Sequence, residues 1–220
     1  MLDLKDLQKI AGQRFQRGQV DHALWALIGP DQSAPPQLFL GRIRKLLDID
    51  REVVVLAGAK MPNAASHAFH GVGLPGQGTE MQFSAFDTFC LAIGLDLLEL
   101  GFKQAEIVFL LRHIRDDLAI TFGEILLNPP AGRMRQEIDN RVYMAVGKVE
   151  IVERTGSARA QPYVLKPQFA RGLEAISEIV DRLGPSERKV ILLEIGNTVV
   201  YLCNHLSQAL APPKGRPRKH

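Results

Sequence analysis

Between Ser84 and Gly101 the sequence specifies both ends of a helix and the face it buries. Ser84 followed three positions later by Asp87 is a capping box, in which each side chain takes up a backbone N–H that the first helical turn leaves free. Phe86, Phe89, Cys90, Ile93, Leu97 and Leu100 then line one face at helical spacing. Gly101 stands where a helix stops in a left-handed conformation, and Phe102 is placed to pack the turn. A second helix is predicted from about Lys103, with Ile107, Leu110, Leu111 and Ile114 inward and Arg112 and Arg115 in the outward sector, and Pro129-Pro130 closes the segment.

The flanking regions are read by the same rules. From Leu2 to about Gly29, Leu4, Leu7, Ile10, Ala11, Val20, Ala23, Leu24 and Leu27 recur at helical spacing, and Pro30 to Pro36 is a linker. Leu38, Leu40, Ile43, Leu46 and Leu47 form the next apolar stripe, which leaves Arg42, Arg44 and Lys45 facing outward. Asp48-Ile49-Asp50 interrupts it, and Asp50 suits the N-cap of a following helix. Arg51 to about Lys60 fits that helix, although Val53-Val54-Val55 also suits a buried strand. Two short extended pieces around a glycine loop, Gly71 to Gly78, are predicted between Ser66 and Phe83. Beyond Ile138, Arg141 to Val152 and Tyr163 to Leu165 read as extended. Phe169, Leu173, Ile176, Val180 and Leu183 read as a helix starting at Pro167 and ending at Gly184. Lys189 to Ile195 is either a strand leading to a helix capped by Asn197 or the start of one long helix. The expected fold class is α+β and predominantly helical. Its expected parts are a helical arm and linker (1–36), a winged helix-turn-helix region (37–128), a small α/β region (138–211) and a basic tail (212–220).

Several functions lack their residues. Hydrophobic residues make up 46% of the chain and charged residues 23%, a globular composition rather than a disordered one. No uncharged apolar run approaches a membrane span and no apolar signal stretch follows Met1, so a cytoplasmic location without a membrane partner is expected. Cys90 and Cys203 sit in apolar helical context, away from any second cysteine at metal-ligand spacing, and read as reduced buried thiols. Gly71, Gly73 and Gly76 satisfy the dinucleotide fingerprint as a bare pattern, but Pro75 interrupts it and an extended piece follows where a helix is needed. Gly73 and Gly78 have phosphate-loop spacing, but Thr79 stands where lysine is required. His67 and His70 lack a third metal ligand, and no serine has an elbow-like context. The expectation is a protein that is not an enzyme, with no cofactor and no metal.

Two features point to one partner. Phe83-Ser84-Ala85-Phe86-Asp87, Leu91 to Leu100, and Gly101-Phe102-Lys103-Gln104-Ala105-Glu106-Ile107 resemble the MerR-like winged helix. In that family an aromatic, a capping serine and an aspartate open the helix after the wing, and a Gly-Phe turn leads to a helix with a Glu-Ile pair. The resemblance implies a transcriptional regulator binding duplex DNA through a helix-turn-helix around Asp48-Ile49-Asp50. This loop lacks the family's wing arginines, and Pro129-Pro130 interrupts the place of its long dimerising helix. Separately, Lys214-Gly215-Arg216-Pro217-Arg218-Lys219 resembles an AT-hook, whose extended Gly-Arg-Pro core lays arginine in a narrow A·T minor groove.

The expected DNA-binding residues are Arg42, Arg44, Lys45, Arg51 and Lys60 on the main positive surface and His67, His70 and Gln77 on the wing. Lys214, Arg216, Arg218 and Lys219 supply the tail. A homodimer is expected because one short helix reads few base pairs, with the C-terminal region and its apolar Phe169 to Leu183 helix as the interface. The alternative is a non-enzymatic structural or protein-interaction module whose basic tail is incidental.

Overall fold

In a computed structural model the chain is α+β and mostly helical, with two small antiparallel sheets among the described residues. The structure describes residues 3–29, 34–56, 67–71, 81–130, 140–147, 167–182 and 190–209. Two compact units are present: residues 1–127 with 198–220, and residues 128–197. None of the described helices is long and apolar enough to cross a membrane.

The first unit opens with α1 (Leu4–Ala11), whose N-cap Asp3 accepts a hydrogen bond from the Asp6 N–H. Helical periodicity predicts one continuous segment to Gly29, but the chain extends at β1 (Arg14–Gln16) before turning into α2 (Arg17–Ile28). The reason is tertiary. β1 pairs antiparallel with β2 (Gln82–Ser84), Phe15 lying opposite Phe83, and both rings are buried. Each strand runs directly into a helix: β1 into α2, β2 into α4 (Ala85–Glu99). The Gln19 side chain accepts the Gln16 N–H at the start of α2, and Asp87 accepts the Ser84 N–H at the start of α4. The N-terminal segment is therefore built into the first unit rather than standing off as an arm.

The expected break at Asp48-Ile49-Asp50 is absent. A single helix, α3 (Gln37–Leu56), runs through it. Phe39, Ile43, Leu46, Leu47 and Asp50 fall on its buried face, and it packs against α4 and α5 (Gln104–Leu127). The alternative of a strand over 51–60 is excluded as far as Leu56. Nor do the described residues around the glycine loop form a hairpin: 67–71 carry no strand, and β2 takes its partner from β1.

The predicted hairpin of α4 and α5 is observed. Leu100 caps α4, and Gly101 follows at φ 86°. The Gly101 N–H reaches the Leu98 carbonyl and the Phe102 N–H the Leu97 carbonyl, a Schellman stop that satisfies two end carbonyls. Glu106 then accepts the Lys103 N–H at the head of α5.

In the second unit β3 (Val142–Gly147) lies between β4 (Gln168–Arg171) and β5 (Val190–Glu194), antiparallel to both. Phe169, expected in a helix, lies in β4. The helix α6 (Gly172–Asp181) begins only at Gly172, whose φ of 83° turns the chain while its N–H bonds the Arg141 carbonyl. Ile179 of α6 packs with Ala145 and Ala170 of the sheet. The ambiguity over 189–210 resolves as strand plus helix, β5 then α7 (Gly196–Gln208), which from Thr198 onward belongs to the first unit.

An alanine side chain at 101 would meet no atom within 4 Å, so Gly101→Ala isolates the cost of left-handed backbone. It is expected to lower stability by about 1–2 kcal/mol, measured by urea denaturation.

Candidate functional site

The densest polar chemistry of the first unit is buried. Asp50 is 0% exposed, Asp87 1%, Arg112 5% and Arg115 7%. Leaving such charges dry and unpaired costs several kcal/mol each, so their geometry has to be specific. Arg112 donates from Nε (2.9 Å) and Nη2 (2.7 Å) to Oδ1 of Asp50, and from Nη2 to the Asp50 carbonyl. One turn along α5, Arg115 donates from Nη2 to Oδ1 of Asp87 and from Nη1 to the Ala68 carbonyl. Its guanidinium also lies 4.9 Å from the centre of the Phe86 ring. Oδ2 of Asp87 serves the capping box at 2.7 and 2.9 Å and faces Arg14 of β1 at 3.4 Å.

Between the two ion pairs runs the strap His67-Ala68-Phe69-His70-Gly71. The Asp50 carboxylate accepts the N–H groups of Ala68 (3.0 Å) and Phe69 (3.2 Å). Phe69 is fully buried against α4, close enough that a Cβ on Gly94 would stand 3.2 Å from its ring. The His70 ring packs on Phe83 with centroids 5.2 Å apart. His67 and His70 are thus buried and cannot serve as wing contacts. Nδ1 of His67 and Nε2 of His70 have no hydrogen-bond partner among the described residues.

Burial lowers the His67 pKa against the pull of Asp50, and lowers that of His70 to about 4. Burial also pushes the Cys90 thiol beside Arg115 up to about 12, which leaves it protonated and a poor nucleophile. Cys203 is held at about 12 by the same cause. Among the described residues no group of three or more His, Cys, Asp or Glu is arranged to hold a metal ion.

The expected positive surface is present in part. Arg42, Arg44, Lys45 and Arg51 are all exposed on α3. Residues 37–47 hold three cations and no acid, whereas Asp48 and Glu52 interleave the second half. Arg51 pairs with Asp48 at 3.5 Å and Arg42 with Glu99 of α4 at 3.7 Å. Helical geometry sets Arg44 and Arg51 on one flank and Arg42 on the other, with Lys45 between. The cationic patch is therefore the first half of α3, with Gln37 and the exposed Leu38 at its tip, and it does not extend along residues 42 to 60 as one face. Lys60, Gln77, Lys214, Arg216, Arg218 and Lys219 lie outside the described residues.

Sequence reasoning missed the Asp50–Arg112 and Asp87–Arg115 pairs. It assigned both arginines to solvent, whereas α5 is covered on two sides, by α3 and by α4. A signal existed: Arg112 and Arg115 stand three apart, one turn of a helix, as two cations seeking two buried acids do. Compared with known proteins, the chain matches no family model and no curated sequence.

Removing one member of the inner pair strands the other in a dry site. Asp50→Ala should cost about 3–5 kcal/mol, and Asp50→Ala combined with Arg112→Met should cost less than the sum of the single changes. A double-mutant cycle in urea measures the coupling, and strict additivity would refute it.

Proposed function

We propose that the protein binds duplex DNA through the first half of α3, as a homodimer, with transcriptional control as the consequence. The observation that carries this reading is that residues 37–47, a stretch with three exposed cations and no acid of its own, lie on a helix held by its other face. A recognition helix contacts base edges with its N-terminal residues, while flanking cations grip phosphate. Gln37, Gly41 and Arg44 are in that position by sequence and exposure, with Arg42 and Lys45 as phosphate contacts. Gly41 has open space where a Cβ would stand.

Because α3 is unbroken, the helix-turn-helix in this reading pairs α2 with α3. The Trp25 and Phe39 rings, 5.1 Å apart, link the two helices. This reassignment keeps the winged-helix likeness on the capping box and Gly-Phe turn of α4 and α5. It leaves His67 and His70 out of the contact. The tail residues Lys214, Arg216, Arg218 and Lys219 add a weak, salt-sensitive attraction that favours the narrow minor groove of A·T sequence.

A second reading, a protein-interaction module without DNA, has its own support. Ile120 and Leu127 of α5 are 63% and 68% exposed, one side of a helix that offers apolar surface to a partner.

Fluorescence anisotropy on A·T-rich duplex across a salt series tests the choice. Arg42→Ala with Lys45→Ala should weaken binding and reduce the slope of log affinity against log salt by about two. No binding by the intact chain at low salt would favour the interaction module. Arg216→Ala should weaken A·T-rich sites more than G·C-rich ones, and equal loss on both would mean the tail only supplies charge.

A further inference from the structure

The buried strap carries a pair of groups that neither the fold nor DNA binding needs in ionisable form. We propose that His67 and His70 make the 67–71 strap a proton-operated latch, closed while both imidazoles are neutral and released when they take up protons. The inference is independent of what α3 binds.

Four formal charges face the two rings from the surrounding helices: Asp50 of α3, Asp87 of α4, and Arg112 and Arg115 of α5. They already form two closed pairs. The other cations near the cluster are Arg51 on α3 and Arg14 on β1, so among the described residues no carboxylate is left over for an imidazolium. The nearest, Oδ2 of Asp50, lies 4.0 Å from Nδ1 of His67 and is engaged by the Ala68 and Phe69 N–H groups.

A neutral imidazole can leave one ring nitrogen bare as an unused acceptor at modest cost. An imidazolium has two N–H donors and leaves one aimed at nothing. Nδ1 of His67 and Nε2 of His70 are the atoms that would be so left. Opening the strap hydrates both rings, so protons and opening are linked.

His70 has its folded pKa held at about 4, below the ordinary 6.5, so the closed form is favoured above the ordinary value. That preference is lost as pH falls from about 6.5 toward 4. His67 is shifted in the same direction. Arg112 keeps Asp50 paired when the strap leaves, so the α3–α5 contact survives the opening and the event stays local.

The test is native-state hydrogen exchange by NMR on the full chain, with protection factors corrected for intrinsic exchange. The Ala68 and Phe69 amides, both given to Asp50, report the latch, and the Leu91 amide in α4 reports global opening. Between pH 7 and pH 5 the strap amides should lose roughly twenty-fold protection from His70 alone, while Leu91 holds. The His67→Gln, His70→Gln double variant should abolish the loss. Should that variant not fold, His70→Phe, which keeps a ring on Phe83, should remove the His70 share. Strap protection independent of pH in the wild type, the same loss in the variants, or a parallel loss at Leu91 would each overturn the proposal.

Discussion

Two carboxylates and two guanidiniums with almost no water around them set the geometry of the first unit. Arg112 and Arg115, one turn apart on α5, reach in two directions: one to Asp50 on α3, the other to Asp87 at the head of α4. Three helices are thereby registered on each other to within hydrogen-bond tolerance. Apolar burial supplies the bulk attraction, but it tolerates sliding by a fraction of a turn. A fork of N–H donors on a carboxylate does not. The pairs also hold backbone: Asp50 receives two N–H groups of the strap, Arg115 bonds its carbonyl, and Asp87 closes the cap on α4 and faces β1.

This arrangement explains why α3 is one helix. Aspartate is a poor residue for a helix interior because its side chain competes for nearby backbone. At Asp50 that competition is removed, since the carboxylate is committed to Arg112 and the strap. The helix continues, and its first half is held on one side with its cations exposed on the other. The proposed DNA contact and the proposed latch therefore share a foundation. The outer surface of α3 gives the charge, and the inner surface gives the rigid seat that presents it.

The local signals were legible. The capping box at Ser84 and Asp87, the apolar face of α4 and the Gly101-Phe102 stop are all decided within a few residues, by backbone groups that need partners and a φ that needs glycine. Arg42, Arg44 and Lys45 were readable as outward for the same reason: Ile43, Leu46 and Leu47 between them define the opposite face. What failed was whatever depended on distant chain. Arg14 to Gln16 is extended because Gln82 to Ser84 offers it a strand, and Phe169 is extended because β3 does. His67 and His70 look like surface polar residues until the strap is seated between α3, α4 and α5.

The sequence by itself determined the caps, stops and apolar stripes of the helices, because those rest on interactions between residues three or four apart. Only the tertiary structure decided which charges are buried. Whether Asp50, Asp87, Arg112 and Arg115 face water or each other depends on partners 28 and 62 residues away. No local pattern carries that information, because a charge is worth burying only where its counter-charge is already in place.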